Sequence, residues 1–245
     1  MNTTALDIFA IITLLVIGVA MPLLGVWDFR RLLAAVAAGR ADARFKAYTW
    51  TLIMEWALVA IFAGWWLFNG RGLAPIGLLP TAAGWQWLAN GLGIAATVIV
   101  IWQMFTVIKS PKELAKARKA MGDLGTLAPQ TAADKKMFAA VAISAGICEE
   151  IVYRGVLLAV LTPLIGLWPA VGVSSLIFGL AHTYQGLFGI VKTGFIGLIF
   201  TLLVIYSGSL FVAMLLHAVV DLTSGRVMSV ALAAEPEPEM SPTST

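Results

Sequence analysis

The chain has 245 residues, of which 60% are hydrophobic and only 12% charged, with a mean hydropathy of +0.92 and a formal net charge of +3. Soluble globular domains carry about 25% charged residues, so this composition excludes that class and indicates an all-α polytopic membrane protein. The modest charge is carried by clustered basic residues, which report topology and give no sign of a nucleic-acid partner. The single cysteine, Cys148, excludes an internal disulfide.

Taken in order, about seven spans are expected. An apolar stretch near 6–27 reads as a retained first helix. Arg30, Arg31, Arg40, Arg44 and Lys46 follow as one short basic loop. Under the positive-inside rule this loop is cytoplasmic, which places the N-terminus outside. A second span near 48–69 carries Glu55 in its first turns, where an interfacial position is expected in preference to a polar cavity. The loop 71–84 holds Gly and Pro and should lie outside, before a third span near 86–108. Ser110-Pro111-Lys112-Glu113 is a helix start, with Ser110 as N-cap and Glu113 as its capping-box partner. Lys112, Lys116, Arg118, Lys119, Lys135 and Lys136 make this second basic segment cytoplasmic, with a short helix facing lipid headgroups.

A long helix is expected from about 134 to 161, with Ser144 and Gly146 small enough for a neighbouring helix to approach. Pro163 and Gly166 should separate it from a span near 165–183, followed by spans near 186–206 and 208–232. Residues 1–233 thus read as one transmembrane helical domain with a cytoplasmic C-terminus. Residues 234–245, rich in Glu, Pro, Ser and Thr, read as a disordered tail.

The chemistry concentrates in three places. Glu149, Glu150 and Arg154 sit in an apolar run, and each charge at a bilayer centre costs roughly 2.5–3.5 kcal/mol on insertion scales. Glu150 and Arg154 are an i,i+4 pair, so Arg154 neutralises Glu150. Glu149 points about 100° away and is left to face something else. The only two histidines, His182 and His217, both lie in apolar helices. Phe178 shares a face with His182, and Asp221 shares one with His217, where it can hold an imidazole nitrogen and fix the tautomer. A catalytic thiol at Cys148 is disfavoured by the adjoining carboxylates. No HExxH zinc motif and no Gly-x-Ser-x-Gly turn is present. What fits is a water activated by a carboxylate and an imidazole, or alternatively Zn2+ held by two histidines and an acid.

Glu-Glu-x-x-x-Arg (149–154), Phe-x-x-x-His (178–182) and His-x-x-x-Asp (217–221), in that order and with Tyr153 and Gly155 flanking, resemble the three motifs of the CAAX prenyl protease 2 / bacteriocin-processing (CPBP) intramembrane proteases. The resemblance covers roughly residues 135–225. It implies an intramembrane endopeptidase acting on a membrane-associated or lipidated peptide or protein, in a prokaryotic cell membrane. Glu149 would be the base that polarises water, helped by His182. Glu150 would pair with Arg154, and His217 and Asp221 would line the oxyanion side. The eukaryotic prenyl-protein members carry Asn where this chain has Asp221. An ionised Asp221 would repel an oxyanion, so it must be protonated, orient His217 or ligate a metal. A zinc site would draw on Glu149, His182, His217 and Asp221. The competing readings are a non-catalytic membrane scaffold or immunity-type member, and a proton-coupled transporter using Glu149, His182 and His217.

Overall fold

The structure is a computed structural model that describes residues 3–80 and 84–234. The tail expected beyond residue 234 lies outside the described residues. Among them are eight helices and no strand: α1 (3–37), α2 (Ala43–Phe68), α3 (Gln86–Ile108), α4 (Pro111–Met121), α5 (132–165), α6 (Leu167–Ala181), α7 (Gly186–Ser207) and α8 (Phe211–Ala233). Five are long and apolar enough to cross a membrane, namely Ile8–Ala37, Ala43–Phe68, Gln86–Ile108, Thr183–Ser207 and Phe211–Ala233. The other two of the expected seven are α5, whose apolar run is diluted by charge, and α6. At 15 residues, α6 extends about 22 Å at about 1.5 Å per residue, against a hydrocarbon core of about 30 Å. Large apolar side chains cover the exterior, with Phe188 81% and Trp87 71% exposed, as a lipid-facing surface requires.

Several helix ends differ from expectation. Arg30 and Arg31 belong to the last turns of α1 and Arg44 and Lys46 to the first turns of α2, so the connecting loop is only 38–42. Pro163 does not end α5, which runs on to Ile165; the stop is Gly166, at φ 84°. Ser110 caps α4 by accepting from the Glu113 N–H, but the Glu113 carboxylate pairs with Lys116 at 2.8 Å instead of closing the box. A complete capping box opens α5, between Thr131 and Asp134.

The two basic segments meet. Arg44 Nε donates to Thr126 O at 2.9 Å and Tyr48 Oη to Leu127 O at 2.6 Å. The C-terminal end of α8 joins the same side, where Ser229 Oγ donates to Pro129 O and Arg118 to Ala234 O, both at 2.8 Å. At the opposite end, Phe9 of α1 stacks on Trp65 of α2, with centroids 3.5 Å apart. The loop after α2 folds inward: Ile76 is buried, and Leu210 N–H donates to Gly77 O at 3.0 Å.

Helix α5 lies at the centre, packed on α2 and α8. The close approach expected at Gly146 is present, since a Cβ there would stand 2.7 Å from Ala218 N and 2.8 Å from Ala218 Cβ. Only glycine admits that crossing of α5 and α8. Ser144 instead accepts a hydrogen bond from Trp56 Nε1 of α2 at 3.1 Å.

Candidate active site

Residues Glu150–Leu157 of α5 form a π-helical turn, a feature the regular spacing did not predict. Such turns are rare and concentrate at functional sites. This one widens the backbone where the charges sit. Ser174 Oγ of α6 donates to the Tyr153 carbonyl at 3.1 Å, satisfying an acceptor within the widened turn. Gly155 lets the inward loop close beneath it, since a Cβ would lie 3.1 Å from Ile76 O.

Glu150 is wholly buried, and Arg154 Nη1 donates to its Oε1 at 2.9 Å, with the two side chains 0% and 1% exposed. The Arg154 guanidinium lies 4.0 Å from the Phe178 ring centroid, and its Nη2 reaches Gly197 O at 3.4 Å. Tyr153 packs edge-on against Phe178 at 5.1 Å. Thus Glu150, Arg154, Phe178 and Tyr153 form one buried layer, as expected of the pair and its flanks.

His217 comes to that layer from α8, with rings of Phe200 at 5.4 Å and Phe178 at 6.1 Å. Its Nδ1 stands 2.8 Å from Glu150 Oε1. An ionised carboxylate only accepts, so Nδ1–H is the donor and Nε2 is left facing outward. Nε2 lies 3.8 Å from Glu149 Oε2 and 3.7 Å from Asp221 Oδ2. The expectation that Asp221 fixes the His217 tautomer is therefore corrected: Glu150 holds the ring, because the α5–α8 contact brings it within hydrogen-bond reach and Asp221 is too far. Glu149 and Asp221, with side chains 25% and 37% exposed, face the opening instead.

His182 is the C-cap of α6. Its Nδ1 stands 2.8 Å from Phe178 O, and a carbonyl only accepts, so this ring too has Nδ1–H committed and Nε2 free. The ring packs at 4.9 Å from Phe178 and 5.9 Å from Tyr184.

Glu149, His182, His217 and Asp221 all line one cavity of about 530 Å³, roofed by residues of α1, α2, α5, α6, α7 and α8. A further carboxyl group in its wall comes from α2. Glu55 is 8% exposed and lines the cavity, so its expected interfacial position is corrected. Helix α2 begins at Ala43, which sets Glu55 about 18 Å along it at about 1.5 Å per residue. An ionisable residue at that depth was the available signal.

Among the described residues no three His, Cys, Asp or Glu side chains are arranged to hold a metal ion. Glu149, His182, His217 and Asp221, the set expected for zinc, line one cavity without forming such a group.

Helices built for a membrane, enclosing a cavity lined by two tautomer-locked imidazoles and open carboxylates, define a polytopic membrane protein with the equipment of a hydrolase. Residues 133–223 match the family described as Type II CAAX prenyl endopeptidase Rce1-like. The match covers α5 to α7 and most of α8, and it bears out the resemblance carried by the three motifs. Glu55 lies outside it. No curated protein and no solved structure matches the chain.

Proposed function

We propose that the protein is an intramembrane endopeptidase of the CPBP type that hydrolyses a peptide bond in a membrane-associated or lipidated peptide. The family match over residues 133–223 supports a protease at the level of the family. The observation that carries the finer reading is the division of labour between adjacent acids. Glu150 is wholly buried with its Oε1 shared by Arg154 and His217, while Glu149 accepts a hydrogen bond from neither and its side chain, 25% exposed, lines the cavity.

In this reading a water bound between Glu149 and His182 Nε2 gives a proton to the Glu149 carboxylate as its oxygen bonds to the scissile carbonyl carbon. The carbonyl oxygen becomes an oxyanion. His217, protonated at Nε2, donates to it, while Nδ1 stays on Glu150. The C–N bond then breaks, and the proton held by Glu149 passes to the leaving amine. Asp221 stands beside His217 Nε2 and acts as its protonated neighbour or as a contact for the peptide.

The helices of residues 1–233 act as one membrane domain. We place the side bearing both basic segments and the end of α8 in the cytoplasm of a prokaryotic cell, with the start of α1 outside. The meeting of the two basic segments supports this orientation.

The test is cleavage of a library of lipidated and unlipidated peptides by the protein in proteoliposomes, comparing the parent with Glu149→Ala and His182→Ala. Cleavage by the parent and its loss in both variants is the expected result. Cleavage by Glu149→Ala at the parent rate removes Glu149 as the base.

A further inference from the structure

Glu55 has no part in the reaction described above, yet it is built into the wall of the same cavity. It is 8% exposed, and its Oε2 is buried without a hydrogen-bond partner among the described residues. An ionised carboxylate left in this way carries a large desolvation cost unless a donor reaches it. Helix α2 does not supply one, and its neighbours are chosen against it. Among the described residues lining the cavity are four carboxyl groups, Asp28, Glu55, Glu149 and Asp221, against the Lys192 ammonium and the His217 imidazole that is protonated in the reaction above. Arg154 does not relieve this excess, because it is buried behind Phe178 and paired with Glu150. Apolar side chains also line the cavity, among them Met21, Met54 and Leu58. A cavity with an excess of one sign and low-dielectric walls concentrates the opposite charge. A long aliphatic stem ending in a cation suits both halves of it.

We propose that Glu55 is a specificity-determining residue that receives a cationic group of the peptide substrate, a lysine-type ammonium near the scissile bond, in the cavity that holds Glu149. This rests on the endopeptidase reading above. The chemistry is that of a buried carboxylate meeting a desolvated ammonium, with the free oxygen of Glu55 as acceptor. It selects for substrates that bring their own counter-charge, and against acidic ones that would add a fifth carboxyl group to the cavity.

The experiment uses the full chain in proteoliposomes and N-acetylated peptides of one cleaved sequence. Each carries Lys, norleucine or Glu at one of the four positions on either side of the cleaved bond. A norleucine peptide with a free amino terminus separates a side-chain ammonium from a terminal one. Expected is a kcat/KM for Lys over norleucine of at least about tenfold at one position in the parent, as for a truncated buried charge pair. In Glu55→Gln this ratio falls to about one. Glu55→Asp keeps its direction, and Glu55→Lys inverts it in favour of the Glu peptide. A preference confined to the free-amine peptide assigns the group to the peptide terminus and overturns the side-chain assignment. An equal preference in the parent and Glu55→Gln, or none in the parent at any position, overturns the proposal. If no peptide is cleaved by the parent, the endopeptidase reading falls. The same peptides, labelled with a fluorophore, are then scored by equilibrium binding to the parent and Glu55→Gln. Loss of Lys-selective binding in Glu55→Gln upholds the charge recognition, and binding blind to Lys removes it.

Discussion

His217 Nδ1 lies 2.8 Å from Glu150 Oε1, although the two residues are 67 positions apart in the chain. The same oxygen accepts from Arg154 at 2.9 Å. Glu150 is thus the joint between helices α5 and α8 as well as the counter-ion of its own helix. Its charge is shared by a guanidinium behind it and an imidazole before it. This arrangement frees Glu149, one residue earlier and about 100° around the helix, for the cavity.

Removing that joint should be costly. Glu150→Ala leaves Arg154 uncompensated in a buried layer, and breaking such a pair costs about 3–5 kcal/mol. It also frees the His217 ring to rotate. We expect a marked fall in thermal stability in detergent together with loss of peptide cleavage. Glu149→Ala should lose cleavage with a melting temperature near that of the parent. Equal melting temperatures for the two variants would show that Glu150 is not the structural joint.

Proton transfer by a positioned side chain contributes about 10²–10⁴-fold to a rate. Glu149→Gln should lose activity in that range, since the amide keeps the shape and cannot take a proton. His182→Ala should lose less, by the margin between a base and its helper. Initial rates on a cleaved peptide, at fixed protein-to-lipid ratio, measure both. A His182→Ala rate equal to the parent would remove His182 from the site.

Much of the site was legible because helical spacing is local. The i,i+4 relation of Glu150 to Arg154 and the outward turn of Glu149 follow from residues within two turns. So does the shared face of Phe178 and His182. The partner of His217 was not legible. Its own i+4 neighbour, Asp221, was the obvious candidate, but Nε2 sits 3.7 Å from it while Nδ1 finds Glu150 from another helix. No spacing rule reports a contact across 67 residues. The π turn at Glu150–Leu157 was hidden for the opposite reason, since it is set by packing of α6 and the inward loop, not by propensity. Glu55 was misplaced through a helix boundary. Starting the second span near 48 put it close to the surface, and the true start at Ala43 moves it inward.

The crossing of α5 and α8 should tolerate no side chain at position 146. A Cβ there meets the backbone N of Ala218 at 2.7 Å, and backbone cannot rotate away as a side-chain tip can. Gly146→Val should cost about 1–3 kcal/mol, the range for overpacking. It should also draw His217 from Glu150, since Ala218 is the next residue on α8. Thermal melts and cleavage rates should fall together. Ala218→Gly in the same background should recover only part of the loss, because the backbone contact remains. Parent-like stability of Gly146→Val would contradict the close crossing.

In the reading in which Glu149 and His182 activate the water, activity should not depend on a metal ion. Dialysis against 1,10-phenanthroline, followed by metal-free buffer, should leave the initial cleavage rate unchanged. A loss restored specifically by Zn2+ would bring Glu149, His182, His217 and Asp221 back as ligands.

Substitution separates two roles for Asp221. Were it the group that fixes the His217 tautomer, replacing it by Asn would present the wrong partner to the ring. In a serine protease triad that change costs about 10⁴-fold. Here Glu150 already holds Nδ1, and Asp221 Oδ2 stands 3.7 Å from the other nitrogen. An amide at that place carries no charge, as a protonated carboxyl does, and offers an N–H beside the developing oxyanion. Asp221→Asn should therefore keep cleavage within about tenfold of the parent, or raise it, while Glu150→Gln does not. Carried out at one pH on one peptide, the pair of substitutions decides which carboxylate orients the imidazole. A collapse of activity in Asp221→Asn with Glu150→Gln still active would reverse the assignment.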